Sequence, residues 1–328
     1  YLFERMFLLH GESKYIDCLE RTLYNGVISG MSMDGGRFFY PNPLSSDGKY
    51  AFNADNTKTR QPWFGCACCP SNLCRFIPSV PGYLYGVKDN NIYVNLFAGN
   101  TSTIKVQGKD VVLEETTEYP WNGDIKISVK KSGVKNANLL VRIPGWARNQ
   151  VVPSDLYKYS DAEKPAYTVT VNGKAVEADL DANKGYLPVK NIKKGDVIRI
   201  HFDMPIRTVV ANNKVADDKG KVAVERGPLV YCAEAVDNNN EPVLRAVMAK
   251  KPTFTLVDNY SIQNTETKGA PAFSVKAIKT DAQVLEEGAN GISVKNDKLT
   301  LIPYYAWNHR GANEMNVWFI QSLSMLDK

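Results

Sequence analysis

Apolar residues at Leu2, Phe3, Met6, Phe7 and Leu9 recur at helical spacing and stop at Gly11, a residue suited to the left-handed turn that closes a helix. Tyr15, Ile16, Leu19, Thr22 and Leu23 resume the period, which predicts two antiparallel helices joined by a short turn. From Ser29 to Pro62 the periodicity fails. Gly, Pro, Asn, Asp and Ser dominate there ("SMDGGRFFYPNPLSSDGKYAFNADN"), the composition of a long loop of the kind that tends to carry function. After "WFGCACC", Pro70 is expected to open a helix through "SNLCRFI" that ends near Pro78 or Gly82.

Beyond Tyr83 the character changes, because alternation replaces the helical period and turn dipeptides recur at short intervals. In "GDVIRIHF", Ile198, Ile200 and Phe202 share one face and Arg199 and His201 the other, as a half-buried strand requires. "TVTVNGKAV" carries Asn172-Gly173 between alternating apolar residues, a strong hairpin signal. Strands continue through "GKVAVERGPLVYCAE", "FSVKAIK", "KLTLIPYYAW" and "EMNVWFI". A lone sandwich takes about 100 residues, so this length of strand predicts two packed β-sandwich units. The expected division is 1–85 helical with the cysteines, 86–210 a first sandwich, 211–295 a second, and 296–328 strands returning to the first.

The chain has 328 residues, 44% hydrophobic and 23% charged, enough to bury sizeable cores. Forty Lys and Arg against thirty-five Asp and Glu give a small positive excess, spread along the strands rather than gathered to track phosphates. A nucleic-acid partner is therefore not expected. Nor is a membrane one, since no apolar run reaches the roughly 18 residues a spanning helix needs. Nothing resembling a signal peptide opens the sequence, which reads from its first residue as the middle of something helical; bacterial periplasm and cytoplasm both stay open as compartments.

Four of the six cysteines crowd into "WFGCACCPSNLCR", residues 63–75. A disulfide scaffold spreads its cysteines to close loops, whereas Cys68 and Cys69 are too close to pair comfortably. Thiolates are soft zinc ligands, and a cation or a helix N-terminus beside them favours the ionised form. Yet Cys66, Cys68 and Cys69 do not form the paired sets of a zinc ribbon, and His10, His201 and His309 sit in ordinary contexts. A metal or catalytic site, a buried cysteine cluster, and disulfides to Cys18 or Cys232 all remain open on residue chemistry alone.

"WFGCACCPSNLCR" resembles the W-F-x-C-x-C-C-P-x-N-x-x-R signature of the β-L-arabinofuranosidase-like glycoside hydrolases, family GH127 (formerly a domain of unknown function, DUF1680). "YIDCLERTLYNGVISGMSMDGGRFFYPNPL", "LLVRIPGWA", "VAVERGPLVYCAE" and "LTLIPYYAWNHRGANEMNVW" resemble further family segments in family order. The resemblance implies the last helices of an (α/α)6 catalytic barrel followed by two all-β, jelly-roll-like sandwiches. It also implies a retaining glycosidase, with Cys68 as nucleophile and zinc ligand and Cys69 as second zinc ligand. Tyr40 matches a segment that approaches the sugar, the alternative being core packing beside Phe38 and Phe39. Asn72 and Arg75, one helical turn apart, are candidates to orient the cysteine loop.

The family motif that supplies the zinc-binding glutamate and third cysteine, the acid/base glutamate and several sugar-binding histidines is expected upstream of Tyr1. Glu4, Glu12 and Glu20 are read instead as solvated faces or salt bridges. Expected partners are thus an arabinofuranoside or related oligosaccharide and an N-terminal barrel segment, with a homodimer left open. Two other readings compete: a carbohydrate-binding or interface module with a vestigial cysteine site, and a redox or structural zinc module built on Cys66 and Cys69. Trp63 reads as a loop anchor or a pocket wall, and Trp121 and Trp307 as sandwich corners.

Overall fold

The computed structural model describes the chain except residues 162, 250, 258–259, 261–271, 285–289 and 323–328. The described residues are mostly β-sheet with few helices, and they divide into two compact units.

The first unit comprises Tyr1–Thr22, Phe76–Ser154 and Ala162–Pro205. Helix α1 (Leu2–His10) ends as predicted on Gly11 in the left-handed region, whose N–H bonds the Phe7 carbonyl at 2.7 Å. Helix α2 (Ser13–Arg21) buries Ile16 and Leu19. A four-stranded sheet runs in the order Tyr186–Val189, Asn138–Arg142, Asn91–Val94, Tyr85–Lys88. A six-stranded sheet runs Lys174–Ala175, Tyr167–Val171, Val197–Phe202, Asp124–Ser132, Lys109–Thr117, Asn100–Val106.

Alternation decides how these layers stack. Tyr93 meets Phe7 of α1 edge to face at 5.4 Å, so its neighbours Ile92 and Val94, both fully buried, face the opposite side of the four-stranded sheet. On the helix side, Arg142 is wholly buried and is paired with Asp17 at 2.7 Å and with Glu20, both on α2. A buried guanidinium with its carboxylates in place is tolerated, whereas removal of either partner would strand a charge. Glu4 and Glu12 also stand in ion pairs, with Arg5 and Lys14, so the salt-bridge reading holds for all three glutamates, although Glu20 is buried rather than solvated.

The second unit comprises Leu23–Arg75, Asp155–Asp161 and Ile206–Lys328. Its described strands form one hydrogen-bonded sheet of eleven. The order is Ser45–Asp47, Glu314–Asn316, Leu229–Glu234, Asn290–Pro303, Ala272–Val284, Val247–Met248, Phe319–Ile320, Lys221–Arg226, Ile206–Ala211, Tyr157–Tyr159, with Phe254–Val257 branching from Ala272–Val284. One sequence expectation changes here. Of the strands expected over 296–328 to return to the first sandwich, those among the described residues pair instead within this second sheet, Tyr231 with Pro303 and Lys221 with Ile320, while 323–328 lie outside the described residues. The described residues also hold three α-helices.

Candidate active site

The predicted loop between Ser29 and Pro62 is ordered by a buried clamp at its base, all within the second unit. Arg60, 3% exposed, donates to the Ser29 carbonyl at 2.8 Å and the Trp307 carbonyl at 2.6 Å, and its guanidinium lies 4.2 Å over the Phe39 ring. Burial lowers its pKa to about 10, so it stays charged at neutral pH. Trp307 is fully buried and stacks on Phe39 at 5.2 Å and Phe52 at 5.6 Å. Its role is packing, in keeping with the corner reading.

His309 completes the clamp. Its Nε2 accepts the Met33 N–H at 3.0 Å, so that nitrogen is unprotonated, and Nδ1 donates to the Ala306 carbonyl at 2.7 Å. Burial, with the Arg60 charge adding to it, lowers its pKa to about 4. Buried Asn53 then positions Tyr40 itself: Oδ1 accepts the Tyr40 N–H at 2.8 Å while Nδ2 donates to the Thr59 carbonyl at 2.9 Å. Sequence reasoning passed over Arg60 and Asn53 and took His309 as ordinary.

Above this base, the Tyr40 ring meets Phe64 edge to face at 4.9 Å, and its hydroxyl reaches two partners, the Cys66 carbonyl and the Cys68 Sγ, the latter at 3.0 Å. The structure thus brings Tyr40 to the cysteines rather than into the core beside Phe38 and Phe39. A phenol has one proton to give. While Cys68 is a thiol, that proton serves the Cys66 carbonyl and the S–H points at the phenol oxygen; a thiolate draws the phenol proton to itself. The Tyr40 hydrogen bond is accordingly the main reason the Cys68 thiol sits below its ordinary range, with the Cys66 and Cys69 thiols and the Cys69 N–H adding to it. Burial and the neighbouring sulfur push Cys69 upward, and the Tyr40 phenol is raised by the same contacts.

The helix bearing these cysteines, α3 (Cys68–Phe76), begins two residues before Pro70, not at it. The Ser71 N–H closes the first turn on the Ala67 carbonyl at 3.1 Å, and Pro70 falls within that turn, where a missing N–H costs nothing. Cys68 is therefore the first helical residue, at the positive end of the helix. Cys66 and Cys68 are exposed, Cys69 half-buried, and all six cysteines are free thiols in this structure, so neither open disulfide, to Cys18 or to Cys232, is formed. Asn72 and Arg75 are exposed on α3, and Trp63 is 57% exposed at the loop's end rather than packed as an anchor.

Three domain models of one family match in order along the chain: the glycoside hydrolase family 127 catalytic domain at 1–82, its middle domain at 91–204 and its C-terminal domain at 206–320. The chain belongs to glycoside hydrolase family 127. A relative, the non-reducing end β-L-arabinofuranosidase of Bifidobacterium longum, is 32% identical over 329 residues, covering 96% of this chain and 46% of its own length. The solved structure of a GH127 β-arabinofuranosidase superposes with a TM-score of 0.87 at 49% identity, covering 99% of this chain and 48% of that one. A GH127 β-L-arabinofuranosidase from Geobacillus stearothermophilus T6 gives 0.82 at 32% identity, covering 98% and 48%. The chain thus spans about half the length of these relatives.

The donor set can be tested against the zinc implied by the family resemblance. Two adjacent thiols, one exposed and one half-buried at a helix start, suit two positions of a tetrahedral zinc site. Among the described residues, no group of three or more His, Cys, Asp or Glu is arranged to hold a metal. The fit extends to Cys68 and Cys69 and stops there.

Proposed function

We propose that this chain is the C-terminal part of a retaining β-L-arabinofuranosidase whose nucleophile is the Cys68 thiolate. One observation carries the reading: an exposed Cys68 Sγ on the first residue of α3, 3.0 Å from a Tyr40 hydroxyl whose own backbone is pinned by buried Asn53. Attack by that sulfur on the anomeric carbon, with a carboxylic acid protonating the departing oxygen, gives a thioglycosyl intermediate that water hydrolyses.

Tyr40 has a part in both steps. As the carbon–sulfur bond forms, the sulfur loses its charge and the phenol proton returns to the Cys66 carbonyl. When the bond breaks, the proton turns back to the departing sulfur. Cys68 and Cys69 would hold zinc, which when bound supplies positive charge that keeps the sulfur anionic and stabilises it as a leaving group. The remaining ligands, the acid/base carboxylate and the rest of an (α/α)6 barrel belong, in this proposal, to the part of the family's length that this chain does not span. Asn72 and Arg75 serve to orient the cysteine loop.

The test uses the full-length enzyme and an arabinofuranoside substrate. Cys68→Ser is expected to lower kcat by roughly a thousandfold or more, since a hydroxyl has neither the acidity nor the nucleophilicity of a thiol. An electrophilic furanoside should attach to Cys68. Full turnover by the serine variant, or attachment at Cys66 or Cys74, would overturn the assignment.

A further inference from the structure

Glu234 ends the strand Leu229–Glu234, is fully buried, and gives both carboxylate oxygens to one turn. Its Oε1 accepts the Asn308 N–H and the Asn313 side-chain amide, each at 2.9 Å, and its Oε2 accepts Nη2 of Arg310 at 2.8 Å. We propose that Glu234 is a positioning residue for the reaction, which acts through this turn to hold the Tyr40 hydroxyl against the Cys68 sulfur. The inference rests on the reading of Cys68 as the nucleophile and adds to it a residue of the C-terminal domain. Glu234 and the turn fall within the family match at 206–320, Tyr40 and Cys68 within that at 1–82, and all of them belong to the second compact unit.

Asn308 stands in the left-handed region at φ 61°, which asparagine tolerates better than most residues. Around that reversal, three successive residues serve the loop between Ser29 and Pro62. The Trp307 carbonyl takes Arg60, the Asn308 side-chain amide donates to the Lys58 carbonyl at 3.2 Å, and the His309 ring takes the Met33 N–H. Next to Lys58, the Thr59 carbonyl holds Asn53, and Asn53 holds the Tyr40 N–H. A continuous succession of hydrogen bonds therefore leads from Glu234 to the residue whose hydroxyl lies 3.0 Å from the Cys68 Sγ. Glu234, Asn308 and Asn53 are all buried, where hydrogen bonds are strong and an unpaired group is costly.

The turn needs an anion at this position. Arg310 also pairs with Asp237, Nη2 with Oδ2 at 2.5 Å and Nη1 with Oδ1, so its charge stays neutralised when Glu234 is replaced by Gln. The amide keeps an acceptor for the Asn308 N–H but presents N–H groups to Arg310 where an oxygen stood, donor facing donor. The turn loosens while the Arg310–Asp237 pair beside it survives. A displacement passed on to Tyr40 weakens a contact whose proposed part is played on the sulfur as its charge changes. The loss should therefore fall on kcat rather than on KM, and a misplacement of about 1 Å can cost roughly a hundredfold.

The experiment uses the full-length enzyme and an arabinofuranoside substrate. Glu234→Gln should lower kcat roughly tenfold or more while KM stays within about twofold of wild type. Asn308→Gly keeps the left-handed backbone and the N–H to Glu234 and loses only the bond to Lys58, so it should lower kcat in the same way by a smaller factor. It also carries the test if circular dichroism shows that Glu234→Gln does not fold. Tyr40→Phe should cost at least as much as either variant. Adding either one to Tyr40→Phe should then cost less than about a further twofold, whereas effects independent of Tyr40 would multiply. Fluorine NMR of enzyme labelled with 3-fluorotyrosine reads position apart from turnover: the resonance missing from Tyr40→Phe should move in each folded variant. Losses that multiply, or a Tyr40 resonance that stays in place, overturn the proposal. The two readings separate cleanly. A resonance that moves while Cys68→Ser turns over unimpaired sinks the nucleophile and keeps the positioning, whereas an inactive Cys68→Ser enzyme with an unmoved resonance does the reverse.

Discussion

At the scale of single residues, what matters most at this site is what lies beneath the Cys68 sulfur. His309 is held neutral because Nε2 must accept the Met33 N–H, and a proton there would break that bond and face the Arg60 charge. Its folded pKa of about 4 lies below the ordinary histidine value, so the unfolded chain takes up a proton first as pH falls. The resulting stability is present above about pH 6.5 and is lost progressively toward pH 4. A shift of this size corresponds to about 3 kcal/mol, and about half that once solvent screening of a partly exposed ring is allowed for. His309→Gln can accept the Met33 N–H without titrating, so the melting temperature of wild type should exceed that of the variant most at neutral pH, with the gap closing as pH falls to about 4.5. A gap independent of pH would show that His309 does not couple the clamp to protons. None of this was legible beforehand, because a histidine between Asn308 and Arg310 carries no local mark of the loop it supports.

At the scale of elements, legibility followed how local the determinants were. The strand Val197–Phe202 and the hairpin at Asn172-Gly173 lie where alternation and turn chemistry placed them, with Val171 paired to Lys174 and both turn residues at positive φ. Helix α3 was foreseen but begins two residues earlier than expected, since proline is tolerated at several first-turn positions and does not mark one of them uniquely. The short strand Ser45–Asp47 was invisible, because its partner is Glu314–Asn316, some 270 residues along the chain, and three residues of "SSD" have no periodicity to read. That pairing ties the Tyr40 loop to the sheet, and Gly48 permits it. Gly48 has φ 68°, and a Cβ there would lie 2.9 Å from both the Cα and the carbonyl carbon of Asn313. Gly48→Ala should therefore cost about 1–3 kcal/mol, from positive-φ strain plus a displaced backbone, read as a lowered denaturant midpoint at unchanged slope. A midpoint equal to wild type would mean that this edge pairing adds little to the loop's order.

At the scale of the whole molecule, the cysteine signature and the family segments made the family readable, while the strand bookkeeping failed where chain order and sheet order part. Residues 296–328 were expected to return to the first sandwich, yet the described part of that stretch supplies strands of the second sheet and, through Trp307 and His309, the base of the candidate site. Metal affinity belongs to this scale as well. A complete structural zinc site is worth about 10–16 kcal/mol at neutral pH, and the chain offers two thiols at Cys68 and Cys69 toward it. Two of four ligands, with the chelate contribution of the others missing, should retain about half of that free energy, which corresponds to dissociation constants in roughly the micromolar to millimolar range. This chain alone should therefore give up zinc to a chelator of sub-micromolar affinity. On the proposed zinc reading, the full-length enzyme should keep about one zinc per chain under the same challenge, as a four-ligand site would, and lose it on Cys69→Ala. Metal content by mass spectrometry after chelator dialysis decides the matter. If the isolated chain held one zinc as firmly as the full-length protein, its own residues would complete the coordination sphere, and the assignment of the missing ligands to the rest of the enzyme would be wrong.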